Sequence, residues 1–259
     1  MKPRWKILLN YAIWGVLVIT LMASLSFAGH EQEQMRCKSL EVVILPDTKD
    51  FFITRDDIVR SVTAGQGENA LKGKPVIEFN IGELEDKLEL NPFIKEAEVF
   101  IDIEGNLRVE VWQRNPIVRI AKNNGTGFYI DDEGVKMPLS DNYAAQVPVA
   151  TGKINEPIRK IHDTISTVAA KNVYALCKYI HDKPFWQAMI EQIIVDSKGE
   201  LILIPVVAEH RVLLGDASRL EEKLKHLKIF YKKGLNKVGW DKYKVINLKY
   251  TGQIVCEKW

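Results

Sequence analysis

A chain of 259 residues has room for a membrane segment and two modest domains, each with its own core. Lys and Arg total 36 against 34 Asp and Glu, a formal net charge of +2, and so even a balance gives no general pull on polyanions and argues against a nucleic-acid binder. Three cysteines, Cys37, Cys177 and Cys256, stand at no metal-ligand spacing and can form at most one intrachain bridge, so neither a disulfide framework nor a zinc site is expected.

The N-terminal stretch Ile7 to Ala28 contains no charged residue. As a helix rising about 1.5 Å per residue, it spans a ~30 Å hydrocarbon core. Lys2, Arg4 and Lys6 precede it and Glu31 and Glu33 follow, which places a short tail, 1–6, in the cytoplasm and the rest of the chain across the membrane. Ser26-Phe27-Ala28 before Gly29 also has the form of a signal-peptide processing site, and either reading exports the remainder. The apolar run exceeds the usual signal core, and Trp5, Tyr11 and Trp14 crowd its cytoplasmic half, so the reading taken is an uncleaved anchor at 7–28.

Past a polar linker at 29–38, Leu40 to Leu45 reads as a strand rich in β-branched residues, stopped by Pro46. Thr54 and Asp57 have the spacing of a capping box before a helix faced by Ile58, Val59 and Val62. Asn80 and Glu83 repeat the pattern before a second helix with Ile81, Leu84 and Leu88, ended by Asn91-Pro92. Ala97, Val99, Ile101 and Ile103 then alternate with Glu96, Glu98, Phe100 and Asp102, a half-buried strand. A turn at Glu104-Gly105-Asn106 leads into Leu107, Val109 and Val111 alternating with Arg108, Glu110 and Trp112, which completes a hairpin. The order β-α-α-β-β suits two helices covering one face of a three-stranded sheet, with the other face wet.

In the second half, Phe128-Tyr129-Ile130 is a strand and Asp131 to Gly134 a turn. The acids Asp131, Asp132 and Glu133 lack the alternating ligands of a calcium loop, so a solvated turn is expected. From Glu156 to Asp182 a helical period runs through Ile158, Ile161, Ile165, Val168, Val173, Leu176 and Ile180, with Cys177 on its apolar stripe and Pro184 as terminator. A meander follows at Ile193–Val195, Leu201–Val206 and Arg211–Leu214. Ser218 and Glu221 are expected to cap a helix with Leu220, Leu224, Leu227 and Phe230 inside, Gly234 as C-terminal cap, and an outer face of Lys223, Lys225, Lys228, Lys232 and Lys233. That basic face is read as solvated, with an acidic partner or anionic lipid as the alternative. Finally, Ile246, Leu248 and Tyr250 alternate with Val245, Asn247 and Lys249 in a strand, Thr251-Gly252 breaks it, Gln253 to Cys256 resumes it and the chain ends on Trp259. A C-terminal strand at a sheet edge offers unpaired backbone groups to a strand from elsewhere.

The β-α-α-β-β unit directly after a membrane segment resembles a POTRA domain, and Asn91 to Pro116 (NPFIKEAEVFIDIEGNLRVEVWQRNP) is similar to its second half in FtsQ/DivIB proteins. The continuation through Arg114-Asn115-Pro116, Tyr129 to Gly134 and Pro138 resembles that family's entry into a second, β-rich domain. The resemblance implies an α+β chain: an N-terminal transmembrane helix, a POTRA-like domain over 39–114, and a β-rich domain with two long helices over 115–259. It also implies a non-catalytic scaffold of the bacterial divisome in the inner membrane at the septum. FtsB-like and FtsL-like partners would dock by strand addition and be linked to septal peptidoglycan synthesis. Residue by residue, Tyr250 and Gly252 match the family's docking strand, with Ile246, Leu248 and Lys249 as strand neighbours. Trp259 resembles its terminal aromatic at a different spacing. The family's arginine on the helix before the meander has no counterpart near Phe185-Trp186. For Tyr250 a core role and a binding role stay equally open.

No enzyme motif competes with this reading. His30, His162, His181, His210 and His226 stand at no HExxH-like spacing, and there is no G-x-S-x-G elbow, P-loop or strand-to-helix GxGxxG, so no cofactor is expected. The alternative is an exported POTRA-type chaperone or assembly factor for outer-membrane proteins, which would show repeated POTRA units or a C-terminal barrel.

Overall fold

The computed structural model describes residues 10–22, 24, 35–46, 52–122, 125–207 and 209–259. The expected span Ile7–Ala28 falls only partly within them. The tail 1–6, Trp5, the Ser26-Phe27-Ala28 site and most of the 29–38 linker lie outside. Residues 10–22 are helical, and Tyr11, Ile13, Trp14, Val16, Leu17, Val18, Ile19, Leu21 and Met22 are all exposed. Two hydroxyls of this segment turn inward on its own backbone, Thr20 Oγ1 donating to Val16 O at 3.0 Å and Ser24 Oγ to Thr20 O at 2.8 Å. Among the described residues no helix is long and apolar enough to cross a membrane.

The rest of the chain forms two compact units. In the first, β1 (Leu40–Leu45), α1 (Arg55–Val62), α2 (Ile81–Glu89), β2 (Ile94–Ile101) and β3 (Leu107–Gln113) follow the predicted order. Thr54 and Asp57 close a reciprocal capping box, a device worth about 1 kcal/mol, and Asn80 caps α2 through Glu83 N. Ile58, Val59, Val62 and Leu88 are buried with Ala97, Val99, Leu107, Val109 and Val111, so one face of the sheet is dry. The central strand is β3, parallel to β1 in the register Leu40↔Leu107 to Leu45↔Trp112, with β2 on its other side. Ile103 departs from expectation: β2 ends at Ile101, and Ile103 stands 96% exposed at the hairpin tip. The cause is Asp102, whose carboxylate takes the N–H groups of Glu104 and Asn106 and turns the chain two residues early.

The free edge of β2 is occupied by side chains. Glu85 Oε1 accepts the N–H of Val99 at 2.8 Å, and Glu89 Oε1 that of Ala97 at 3.4 Å. Two carboxylates, one helical turn apart on α2, stand where the carbonyls of a further strand would be.

The second unit carries a nine-stranded sheet in the order β12-β11-β10-β9-β8-β7-β4-β5-β6. Its strands are β4 (Pro116–Ala121), β5 (Gly127–Asp131), β6 (Lys136–Pro138), β7 (Val149–Gly152), β8 (Ile190–Val195), β9 (Leu201–Pro205), β10 (Arg211–Gly215), β11 (Tyr243–Asn247) and β12 (Val255–Lys258). Helices α3 (Val168–His181) and α4 (Pro184–Met189) precede β8, and α5 (Leu220–Ile229) follows β10. The core joins Ile120, Phe128 and Ile130 to Val173, Leu176, Cys177 and Ile180 of α3 and to Leu224 and Leu227 of α5.

The helix expected from Glu156 begins only at Val168, because Thr167 is its N-cap and the preceding segment is held by Glu156, whose carboxylate accepts from the N–H and hydroxyl groups of both Ser166 and Thr167. Ile158, Ile161 and Val168, expected on the buried stripe, are exposed. Pro184 does more than terminate: it opens α4, where its missing N–H costs nothing. Ser218 does not cap α5; its hydroxyl goes to Asp216, and Arg219 holds the cap position in a left-handed conformation. Gly234 does not end the helix, which runs on through a π-turn (Phe230–Leu235) and Asn236–Val238 to Gly239, at φ 96°. Lys223 is not on the solvated basic face but buried, bonded to the carbonyl and carboxylate of Asp216. Nor is the turn at Asp131 simply solvated. Asp131 is fully buried, its Oδ2 paired with Arg114 Nη1 at 2.8 Å and its Oδ1 accepting from Glu133 and Val135 N–H.

Candidate functional site

The two ends of the large sheet differ. At one end, β6 is sealed: Lys136 N donates to Asp163 O, Ile165 N to Gly134 O, and Val135 bridges Thr164. The Lys136 ammonium locks this closure from beneath, 2.7 Å from Glu156 Oε1 and 2.8 Å from Asp163 Oδ2. Burial raises the pKa of Glu156, but the bonds from Lys136, Thr167 and Ser166 outweigh it and hold the carboxyl at about 2.

At the other end, β11 is bounded on both sides, parallel to β10 (Arg211↔Val245, Val212↔Ile246, Leu213↔Asn247) and antiparallel to β12 (Ile246↔Cys256, Asn247↔Val255). The terminal strand β12 therefore forms the sheet edge, and β11 does not. Val255, Glu257 and Lys258 are exposed along it.

The loop between β11 and β12 is pinned rather than loose. Leu248 N donates to Leu213 O at 2.9 Å, Lys249 N to Asn247 Oδ1 at 3.0 Å, and Arg219 Nη1 to Thr251 Oγ1 at 2.7 Å. Lys249 Nζ pairs with Glu200 at 2.9 Å, and its stem crosses Gly215, where a Cβ would lie only 3.1 Å from it. Gly252 takes φ 69°, which favours glycine at the turn. Beside this loop the end of α5 forms a groove of about 410 Å³ lined by His226, Ile229, Phe230, Lys233, Gly234, Gly252 and Ile254. Gly234 keeps that groove open, since a Cβ there would strike the Phe230 ring at 2.8 Å. Behind it, His210 Nε2 meets Tyr231 Oη at 2.9 Å, and Trp240 packs on both rings. Burial holds the His210 pKa below the usual imidazole value and that of Tyr231 above the usual phenol value, so this cluster is an uncharged brace.

The residues picked out from sequence divide between core and surface. Ile246 and Leu248 are buried, Lys249 is exposed and paired with Glu200, and Tyr250, Gly252 and Trp259 are exposed, Tyr250 by 55% and Trp259 by 70%. The strand ends at Asn247, so Tyr250 lies in the bend after it, away from the strand's alternation. Sequence reading did not separate β12 from β11 as the edge, because only the tertiary pairing assigns it. Near Phe185-Trp186, where no arginine stands, Lys228 of α5 lies over the Phe185 ring at 4.6 Å. Cys37, Cys177 and Cys256 are free thiols, and burial raises the pKa of Cys177 and Cys256.

Residues 35–112 match a POTRA-like domain, and residues 115–257 match the family described as FtsQ/DivIB, C-terminal related. A similar protein is the Cell division protein FtsQ of Rhodothermus marinus (strain ATCC 43812 / DSM 4252 / R-10), 25% identical over 218 residues that cover 80% of this chain and 77% of that one. The stretches Arg114-Asn115-Pro116 and Tyr129 to Gly134, through which the sequence resembles that family, meet in the buried Arg114–Asp131 pair. With a POTRA-like domain, a match to the FtsQ/DivIB C-terminal family that covers more than half of the chain, and these two motifs joined at the start of the second unit, the chain belongs to the FtsQ/DivIB family of cell-division proteins.

Proposed function

We propose that the chain is a non-catalytic, single-pass membrane scaffold of the division machinery, which takes up an extended segment of an FtsB-like partner, with an FtsL-like protein beside it, on the free edge of β12. The partner would then be held near septal peptidoglycan synthesis. One observation carries the reading: of the two ends of the nine-stranded sheet, β6 is sealed by the 163–165 segment and β12 is left open. Main-chain pairing along Val255–Lys258 would supply affinity, and Tyr250, Trp259 and the groove at Phe230 would supply pockets for side chains. Ile246 and Leu248 act in this reading by holding the edge in place from the core.

The anchor at Ile7–Ala28, with the N-terminus cytoplasmic and the domains outside, is supported by the exposed apolar helix at 10–22 and its inward-turned hydroxyls. The alternative of a chaperone using its POTRA-like sheet edge is disfavoured by the match of residues 115–257 to the FtsQ/DivIB family, and at the β2 edge of that sheet Glu85 and Glu89 already hold two of the amides.

The test is a titration of the full chain in nanodiscs with the FtsB-like protein of the same cell. Tyr250→Glu is expected to raise Kd roughly thirtyfold, the effect of losing about 2 kcal/mol at an exposed anchor, with the melting curve unchanged. Saturable binding that is indifferent to Tyr250→Glu and to Trp259→Ala would remove the docking assignment.

A further inference from the structure

The hairpin tip of the first unit displays Ile103 in a conformation that the surrounding residues hold. Asp102 is consumed by the turn through Glu104 N, Asn106 N and Asn106 Nδ2, and at Gly105 a Cβ would lie 3.1 Å from Arg36 O. A single exposed isoleucine is ordinary by itself, and what sets Ile103, 96% exposed on this held turn, apart is the surface around it. Beside it, an open cleft of about 520 Å³ is lined by Met35, Arg36, Lys38, Lys72, Ile103 and Glu104 among others.

Arg36, Lys38 and Lys72 are exposed there, facing the one carboxylate of Glu104, and Lys74 follows on the same strand of chain. These cations come from distant parts of the sequence and are fastened into one surface. Cys37 N donates to Lys74 O, Gly73 N to Cys37 O, and Arg36 Nη1 to Gly73 O at 2.9 Å. Only six residues, 29–34, separate Met35 from the end of the expected anchor at Ala28, and the seven steps from Ala28 to Met35 reach at most about 25 Å. A rigid apolar tip amid cations, tethered that closely to a bilayer, has the chemistry of an interfacial lipid contact.

We propose that the surface formed by Ile103, Met35, Arg36, Lys38 and Lys72 rests on the anionic phospholipid headgroups of the bilayer that holds the anchor, with Ile103 entering the interface. This inference rests on the anchored reading above. The contact fixes how the first unit stands on the membrane.

The full chain would be placed in nanodiscs containing phosphatidylglycerol and, separately, in discs of phosphatidylcholine alone, and backbone hydrogen exchange followed over residues 35–38 and 102–106. Exchange there is slower in the anionic discs. The lipid-dependent slowing weakens about fivefold for each of Arg36→Gln, Lys38→Gln and Lys72→Gln, and is lost in Ile103→Ser. Equal exchange in the two discs, or slowing indifferent to these substitutions, overturns the lipid contact while leaving the anchor standing. Slowing that appears only when an acidic protein is added overturns it in favour of a protein partner. A chain that does not enter discs at all overturns both the anchor and the inference built on it.

Discussion

Burial decides what the acidic residues of this chain do. Asp131, Asp132 and Glu133 look alike in sequence, yet only Asp131 is sunk beneath the surface, because Arg114, seventeen residues earlier, arrives there to pair with it. Lys136 and Glu156 are likewise unremarkable as letters, and they become the buried lock on one sheet end. Glu156→Ala leaves the buried Lys136 ammonium with Asp163 as its one anionic partner, beside the Pro157 carbonyl, and is expected to cost about 3 kcal/mol or more, read as a lowered urea midpoint. The same carboxyl sets an acid limit. Between its ordinary value of 4.5 and about 2, the unfolded chain binds the proton and the folded chain does not, so the Glu156 contribution is full above pH 4.5 and lost as pH falls through about 2. Urea titrations across that window should give a stability that rises with pH, and a shallower rise in Glu156→Gln. His210 adds a loss at milder acidity: its folded pKa lies below 6.5, so the unfolded state takes up the proton first, and stability declines as pH drops below about 6.5.

Among the elements, those with local signatures were readable and those defined by neighbours were not. The capping box at Thr54, the Asn80 cap and the alternation from Ala97 appear in the structure where the letters place them. Strands β4, β6 and β7 were not legible: β4 is buried on both faces and so has no clean alternation, and β6 and β7 are three and four residues long. The helix expected from Glu156 was overextended because its isoleucines kept a helical period while Glu156 was engaged with Ser166 and Thr167. The carboxylates at the edge of β2 make a further expectation. In Glu85→Ala/Glu89→Ala the amides of Ala97 and Val99 lose their acceptors, and their exchange should accelerate about fivefold, with concentration-dependent self-association through the opened edge. Unchanged exchange at both amides would mean that these bonds do not protect the edge.

At the scale of the whole molecule, the proposed function rests on which sheet ends are closed and which segment is apolar. If Ile7–Ala28 anchors the chain, alkaline extraction of cell membranes should leave the full protein in the pellet, and a Leu17→Arg/Val18→Arg variant should be released or fail to insert, a cost of about 3 kcal/mol per charge at mid-helix. Recovery of the native chain in the alkaline supernatant would contradict the anchor. The order β-α-α-β-β, the family resemblance, the meander and the apolar N-terminal run were legible in the sequence, because each rests on periodicity, capping or composition within a short window. Tertiary structure alone decided that β12 and not β11 is the open edge, that Ile246 and Leu248 are core, that Tyr250 stands outside it, and that Arg36, Lys72 and Ile103 share one surface. Strand neighbours and burial are set by which distant segments satisfy each backbone group and carboxylate, and no local pattern carries that information.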